Sequence, residues 1–338
     1  MIFDGHNDVL LETTVEGFLD GRGEGHLDLP RARAGGLGGG IFAIFTPTPG
    51  DERDPVPRAG GGHDTPLADP VPQPAAAAHA AEAAALLRAL EDAGALRVVR
   101  TVAELDACAA DGTLAAVLHL EGAEAIDPGL EALDRWHAGG LRSLGITWCR
   151  PNAFGHGVPF AFPSSPDTGP GLTEAGQALV DRCNDLGLLV DLSHLNEAGF
   201  WDVARRSRAP LVASHSGVHA LCPSSRNLTG AQLDAIAASG GLVGIVFAVH
   251  FLRADGEEDA DTPLATVAAH VRHVADRVGV DHVALGSDFD GATVPDAIGD
   301  AAGLPRLLDA LREDGFDAGE IERIAWGNWR RVLAATWR

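Results

Sequence analysis

Lysine is missing altogether: all 25 basic residues of this 338-residue chain are arginines. That excludes a Schiff-base lysine, a P-loop lysine and a carbamylated lysine bridging two metals, so any metal bridge falls to the carboxylate of an Asp or Glu. Cysteine is scarce. Cys108, Cys149, Cys183 and Cys222 lie far apart and form no C-x-x-C pair, which argues against a disulfide scaffold or a thiolate zinc site; they read as small buried residues. Positive charge is in deficit as well, and a net charge of −23 opposes binding to a phosphate backbone. Nucleic acid is therefore not an expected partner. No apolar stretch approaches the ~18 residues needed to cross a bilayer. Met1 leads straight into IFDGHND without the basic start, apolar segment and cleavage site of a secretory signal. The expectation is a cytoplasmic protein with no membrane partner.

What is present is apolar and periodic. A hydrophobic content of 46% is enough for a large core, and a single domain over residues 1–338 is expected, since α/β barrels commonly exceed ~250 residues. Eight short apolar runs, at residues 2–8, 40–45, 114–120, 141–148, 187–193, 211–214, 242–248 and 282–287, have the character of strands buried on both faces of a parallel sheet. Between them, residues 75–94, 172–187, 229–241 and 263–279 carry Ala and Leu at helical spacing and each closes on Gly, a frequent helix stop. Alternation of this kind predicts an α/β fold, a (β/α)8 TIM barrel whose strand ends build a site at the C-terminal face. Two inserts interrupt the pattern. Residues 46–74, rich in Pro, Gly and charge, are expected to hold no regular element and to be either a lid or disordered; residues 155–171 follow the fourth strand.

Ligand-type side chains stand where the apolar runs end. His6 and Asp8 are two apart, so on a strand both face one way, and an imidazole beside a carboxylate suits a divalent metal such as zinc. Glu121 follows the third run; its carboxylate is either a helix cap or arginine partner, or a bridge between two metals. His194 and His215 each end a run of buried-strand type, and their coincidence with the HxD pair and Glu121 favours ligation. These five give two metals three protein ligands each if Glu121 is shared. Asp288 is placed for general acid/base work, with Asp290 the loop-capping neighbour. Arg226 has two readings, a surface ion pair or a guanidinium fork for a substrate carboxylate. His119 reads as core or support, Glu124 as a solvated helix-start residue.

Together GHND, the EG after strand three, VDLSH, SHSG, SSRN, GSDFDG and the late GNWRRVL resemble, in that order and over essentially the full chain, the membrane dipeptidase (renal dipeptidase) family of metallopeptidases. The resemblance implies a dinuclear zinc site, two Zn2+ per chain, and hydrolysis of dipeptides through a metal-bridging hydroxide, often with a D-residue at the C-terminal side. It implies that His6 and Asp8 hold one zinc, His194 and His215 the other, that Glu121 bridges them, that Asp288 handles the proton and that Arg226 binds the terminal carboxylate. A homodimer is also implied. One departure is visible: where family members carry a substrate-binding histidine after strand four, this chain has Trp148 in GITWCRPN, with His156 the nearest replacement. Trp148 and Asn152 are accordingly expected to touch substrate. Two other readings stand beside the dipeptidase: an amidohydrolase acting on N-acyl amino acids, lactams or other small amides, and a catalytically silent metal-binding protein.

Overall fold

The computed structural model describes residues 1–50, 54–59 and 61–338. Its centre is a parallel sheet whose main path is eight strands, β1 (Ile2–Asn7), β2 (Leu37–Phe45), β3 (Ala115–Glu121), β4 (Leu141–Gly145), β5 (Leu189–Asp191), β6 (Val212–Ser216), β7 (Leu242–Ile245) and β8 (Val283–Leu285), paired in chain order, with the short strand Arg97–Val98 pairing beside β3 as a ninth. The two ends meet. A parallel bridge joins Asn7 to Phe289, and the Asp8 and Asp288 amides donate to the carbonyls of Phe289 and His6 at 2.8 and 3.0 Å. The barrel is thus nearly closed, with helices around it. The eight expected strands are all found, with some bounds shortened and those of β2, β3 and β6 extended at one end, because they are buried on both sides: every residue of β1 and of β3 is buried.

The expected helices appear as Gln73–Asp92, Glu174–Leu186, Gly230–Ala238 and Leu264–Val278. Thr173 and Thr229 cap two of them by accepting the amides of Gly176 and Gln232, satisfying donors that the first turn leaves open. Gly187 ends one at φ 70°, a conformation that costs glycine nothing.

The barrel's lower half is a packed plug. Phe3, Ile41, Val117, Leu189, Val212, Leu242 and Ala284 pack with Trp326, Trp329 and Leu333 of the C-terminal segment, and the Trp329 indole donates to the Leu285 carbonyl at 2.9 Å. This is what the GNWRRVL motif does. Gly5 faces the same crowded interior, where a Cβ would stand 2.4 Å from the Ser214 carbonyl and 2.5 Å from Trp329, so the backbone of β1 approaches its neighbours as only glycine allows. The polar ligands therefore lie on an apolar floor, at the strands' C-terminal ends.

The first insert departs from expectation. Residues 51–53 and 60 lie outside the described residues, but Val56–Pro57 and His63–Thr65 are strands that pair antiparallel with each other, and His63–Thr65 pairs antiparallel in turn with Phe160–Phe162 of the second insert. Partners about a hundred residues apart supply the backbone hydrogen bonds that neither insert satisfies alone. No helix among the described residues is long and apolar enough to cross a membrane.

Candidate metal centre

Strand ends deliver the five ligand candidates to one place. His6 is on β1, while Asp8 lies just beyond that strand, at the start of the Val9–Leu11 turn. Glu121 is the last residue of β3, His215 is in β6, and His194 follows β5. His6 Nε2 stands 3.4 Å from Asp8 Oδ2 and 3.6 Å from Glu121 Oε2. On the other side Glu121 Oε1 is 3.0 Å from His194 Nε2 and 3.7 Å from His215 Nε2. One carboxylate thus turns one oxygen to each half of the set, the disposition a bridging ligand needs. Three groups among the described residues, His6–Glu121–His215, His6–Asp8–Asp288 and His6–His119–Asp191, bring ligand atoms within 4.8 Å of one another.

The chemistry of the cluster fits metal. Both ring nitrogens of His6 and Oδ1 of Asp8 are enclosed without any hydrogen-bond partner, an arrangement that costs free energy unless something else occupies it. Burial, reinforced by the Arg226 cation, pushes His194 down to about 4. Burial followed by the charges of His6 and Arg226 holds His215 well below the ordinary imidazole range. Both are therefore neutral at pH 7, as a ligating imidazole must be. For His6, burial opposes the charged form, but Glu121 and Asp8 outweigh it and hold the ring well above its usual range. A proton on His6 is the cation that the two carboxylates demand when no metal is there. Metal binding should release it.

Asp288 lies three residues past β8 with φ 62°, and His194 three past β5 with φ 63°. Left-handed backbone in residues other than glycine is uncommon, and here it turns each side chain back over the barrel mouth. Asp288 is pushed up to about 7 by burial and then by the negative charge of Asp8. Asp290, also at positive φ, accepts Arg22 Nη1 at 2.9 Å and the His26 amide at 2.7 Å; it fixes a loop, in keeping with the capping role.

A second layer of residues was not legible as such in the sequence. Asp191 accepts the amides of Ser193 and Ser214 at 3.0 and 2.8 Å and the Ser214 hydroxyl by a short bond; that hydroxyl meets His215 Nδ1 at 2.8 Å. The chain of contacts orients the His215 ring, as outer partners of ligand histidines do. Asp191→Asn is expected to weaken metal retention about 10- to 100-fold, read by competition with a chelator; unchanged retention would remove Asp191 from the ligand's support. His119, read as core or support, is fully buried with Nδ1 2.8 Å from Ser143 Oγ and its ring 5.6 Å from that of His6.

Above the cluster is a cleft of about 130 Å3 lined by Asp8, Glu121, His194, His250 and Asp288 and by the apolar Leu11, Phe45, Trp148, Phe160 and Phe251. Trp148 is where the sequence places it, 6.1 Å from the His194 ring. His156 is not among the cleft's lining residues; His250, which the sequence did not single out, is. Arg226 is buried behind the ligands. Its Nε stands 3.2 Å from His194 Nδ1, and its Nη1 and Nη2 donate to Ser216 Oγ and the His215 carbonyl at 2.7 Å each, so the surface ion-pair reading is out. Asn152 lines a separate recess, and its amide donates to the Ile146 carbonyl at 2.7 Å and accepts the Phe154 amide at 2.8 Å, contacts that hold its loop. Glu124 is a correction, buried at 4% exposure, because Arg150 reaches it.

Known proteins are similar to this chain over most of its length. A crystal structure of a metallopeptidase from Rhodobacter sphaeroides, liganded with a phosphinate mimic of the dipeptide L-Ala-D-Ala, is 48% identical and superposes with a TM-score of 0.95 over 99% of each chain. The uncharacterized protein in the pqqA 5′ region of Klebsiella pneumoniae is 50% identical over 246 residues, 73% of this chain and 91% of that one. A second, in the PQQ-III 3′ region of Acinetobacter calcoaceticus, is 40% identical over 289 residues, 82% and 90% of the two chains. The model of the membrane dipeptidase family (peptidase family M19) matches residues 1–337. With the barrel and its clustered ligand residues in that frame, the chain belongs to the membrane dipeptidase family of metal-dependent hydrolases.

Proposed function

We propose that this chain hydrolyses the peptide bond of dipeptides, including those with a D-residue at the C-terminal side. In this reading His6, Asp8, Glu121, His194 and His215 hold two zinc ions. The observation that carries it is the convergence of His6, His194 and His215 on Glu121, with Asp8 beside His6, at the foot of the cleft. The 48% identical metallopeptidase that binds a dipeptide mimic supports the choice of substrate.

When bound, the metal pair supplies a nucleophilic water at neutral pH and a Lewis acid for the scissile carbonyl. Asp288 is the proton carrier of this reading. Its carboxyl group lies within 4.8 Å of ligand atoms of His6 and Asp8 and lines the cleft, within reach of a proton to be taken up and returned to a leaving amine. Phe45, Trp148, Phe160 and Phe251 form the apolar part of the cleft wall, with Trp148 and Phe160 at 6.1 and 5.9 Å from the His194 ring, and such a lining excludes water and strengthens the charge interactions inside.

Arg226 is assigned the carboxylate end of the substrate. Three of its five N–H groups face protein partners, which leaves two for an anion. Amidating the dipeptide's carboxylate should weaken kcat/KM, Arg226→Met should do so for the free acid, and the two changes together should add little. Each removes one charge-assisted contact worth about 1.5 to 3 kcal/mol. Strictly additive losses would separate Arg226 from the carboxylate. Metal content is measured alongside, because the same guanidinium contacts both ligand histidines.

The apolar side of the cleft gives a second reading, an amidohydrolase that seats an acyl chain there. A panel of free and N-acylated dipeptides separates the two, since an acyl substrate offers no amine. The family match over residues 1–337 supports treating the chain as one domain.

A further inference from the structure

Behind the apolar wall lies an ion pair that the chemistry above does not use. Arg150 has 0% of its surface exposed. Its Nε donates to Glu124 Oε1 at 2.8 Å, Nη1 to Thr48 Oγ1 at 3.0 Å and Nη2 to the Thr46 carbonyl at 2.6 Å. The same guanidinium lies 5.3 Å from the ring centres of both Phe45 and Trp148, which meet edge to face at 4.7 Å. One cation thus joins the segments that leave β2, β3 and β4.

Taking a guanidinium and a carboxylate out of water is costly, and an apolar pair of similar volume is often as stable or more so. Fold stability alone is a poor account of this pair. Its geometry has a different consequence. Phe45 and Trp148 line the cleft, and the two segments that Arg150 ties, at Thr46–Thr48 and at Trp148–Arg150, are the roots of the two inserts. The inserts meet again at their far ends, where His63–Thr65 pairs with Phe160–Phe162, and Phe160 completes the cleft wall 5.9 Å from Trp148. A further tie runs from the Ala68 amide to the Cys149 carbonyl at 2.8 Å. The two inserts are therefore fastened at root and tip, with the Arg150–Glu124 pair at the root.

We propose that Arg150, paired with Glu124, is a positioning residue for substrate selection: it sets Phe45 and Trp148, and through the joined inserts Phe160, as the wall against which a dipeptide side chain packs. Arg150 touches no reacting atom, so its loss changes binding and discrimination rather than the chemical step. Arginine is suited to this because its planar fork reaches three acceptors while its faces stack on aromatic rings.

The test uses the metal-loaded full chain and rests on the dipeptidase reading. Arg150→Met alone leaves the Glu124 carboxylate buried without its partner and should lower Tm. The double variant Glu124→Leu/Arg150→Met removes both charges and should regain Tm, keep two metal equivalents and keep kcat within about threefold. Its KM for a dipeptide with a large apolar side chain should rise about tenfold, while the KM for Gly-Gly changes little. Arg150→Lys, which retains the charge without the planar fork, should lower Tm less than Arg150→Met does and share the raised KM. A double variant or an Arg150→Lys variant with wild-type KM and wild-type discrimination overturns the proposal, as does a loss confined to kcat. Wild-type protein that cleaves no dipeptide overturns the dipeptidase reading itself, a distinct outcome visible before any variant is made.

Discussion

Removing metal should abolish dipeptide hydrolysis completely, and adding zinc back should restore it, with about two ions bound per chain at full activity. No other change is expected to have so large an effect, because the unaided site offers no nucleophile: His194 and His215 are neutral but point at Glu121, and His6 is clamped between Asp8 and Glu121. Stability should fall with activity. An ion that binds the folded chain alone stabilises it by RT ln(1 + [L]/Kd), about 4 kcal/mol at a thousandfold excess over Kd, so chelation should lower Tm as well as rate. Variants divide the effect. His194→Ala or His215→Ala should lose one ion preferentially, whereas Glu121→Ala should impair both sites, since its two oxygens face the two halves of the cluster. Retention of both ions in Glu121→Ala would exclude the bridge, and full activity in metal-free protein would exclude the metal centre.

The second large effect is expected at Asp288. Asp288→Asn preserves the side chain's size, and its backbone at φ 62° suits asparagine, which tolerates the left-handed region better than most residues. Fold and metal content should therefore survive. What disappears is the carboxyl group that burial and Asp8 push up to about 7, and turnover should fall by about 10²-fold or more, the scale of lost general acid/base catalysis. Measuring kcat with metal content in parallel checks this. Unchanged turnover would move the proton elsewhere. Asp290, the neighbour with the same residue type, is a poor heir because Arg22 and His26 already engage both of its oxygens.

The eight strands were legible because burial on both faces leaves no room for alternation, so each reads as a short apolar run. The ligand cluster was legible because His and Asp after such a run have little other purpose at a barrel's C-terminal face. What escaped the sequence depended on partners far along the chain. Glu124 and Arg150 are 26 residues apart, and nothing local distinguishes a buried glutamate from a solvated one until its arginine arrives. The sheet joining the inserts needs Phe160–Phe162 to reach His63–Thr65, which no window of sequence spans. Asn152 shows how a polar residue near the site also serves its own loop, through contacts that the sequence does not display. Asp191 and Ser214 sit inside strands that read as plain core, and their role appears only once β5 and β6 are side by side.

The most direct test of the whole account is a single set of rate measurements on the zinc-loaded protein, comparing L,L and L,D dipeptides with their N-acetylated forms. Cleavage of the free dipeptides with kcat/KM in the usual enzymatic range of about 10⁴ M⁻¹s⁻¹ or more, and much slower cleavage of the acetylated forms, is the predicted result. Preference for the acetylated substrates, or no cleavage of any dipeptide by protein shown to carry both metals, would contradict it.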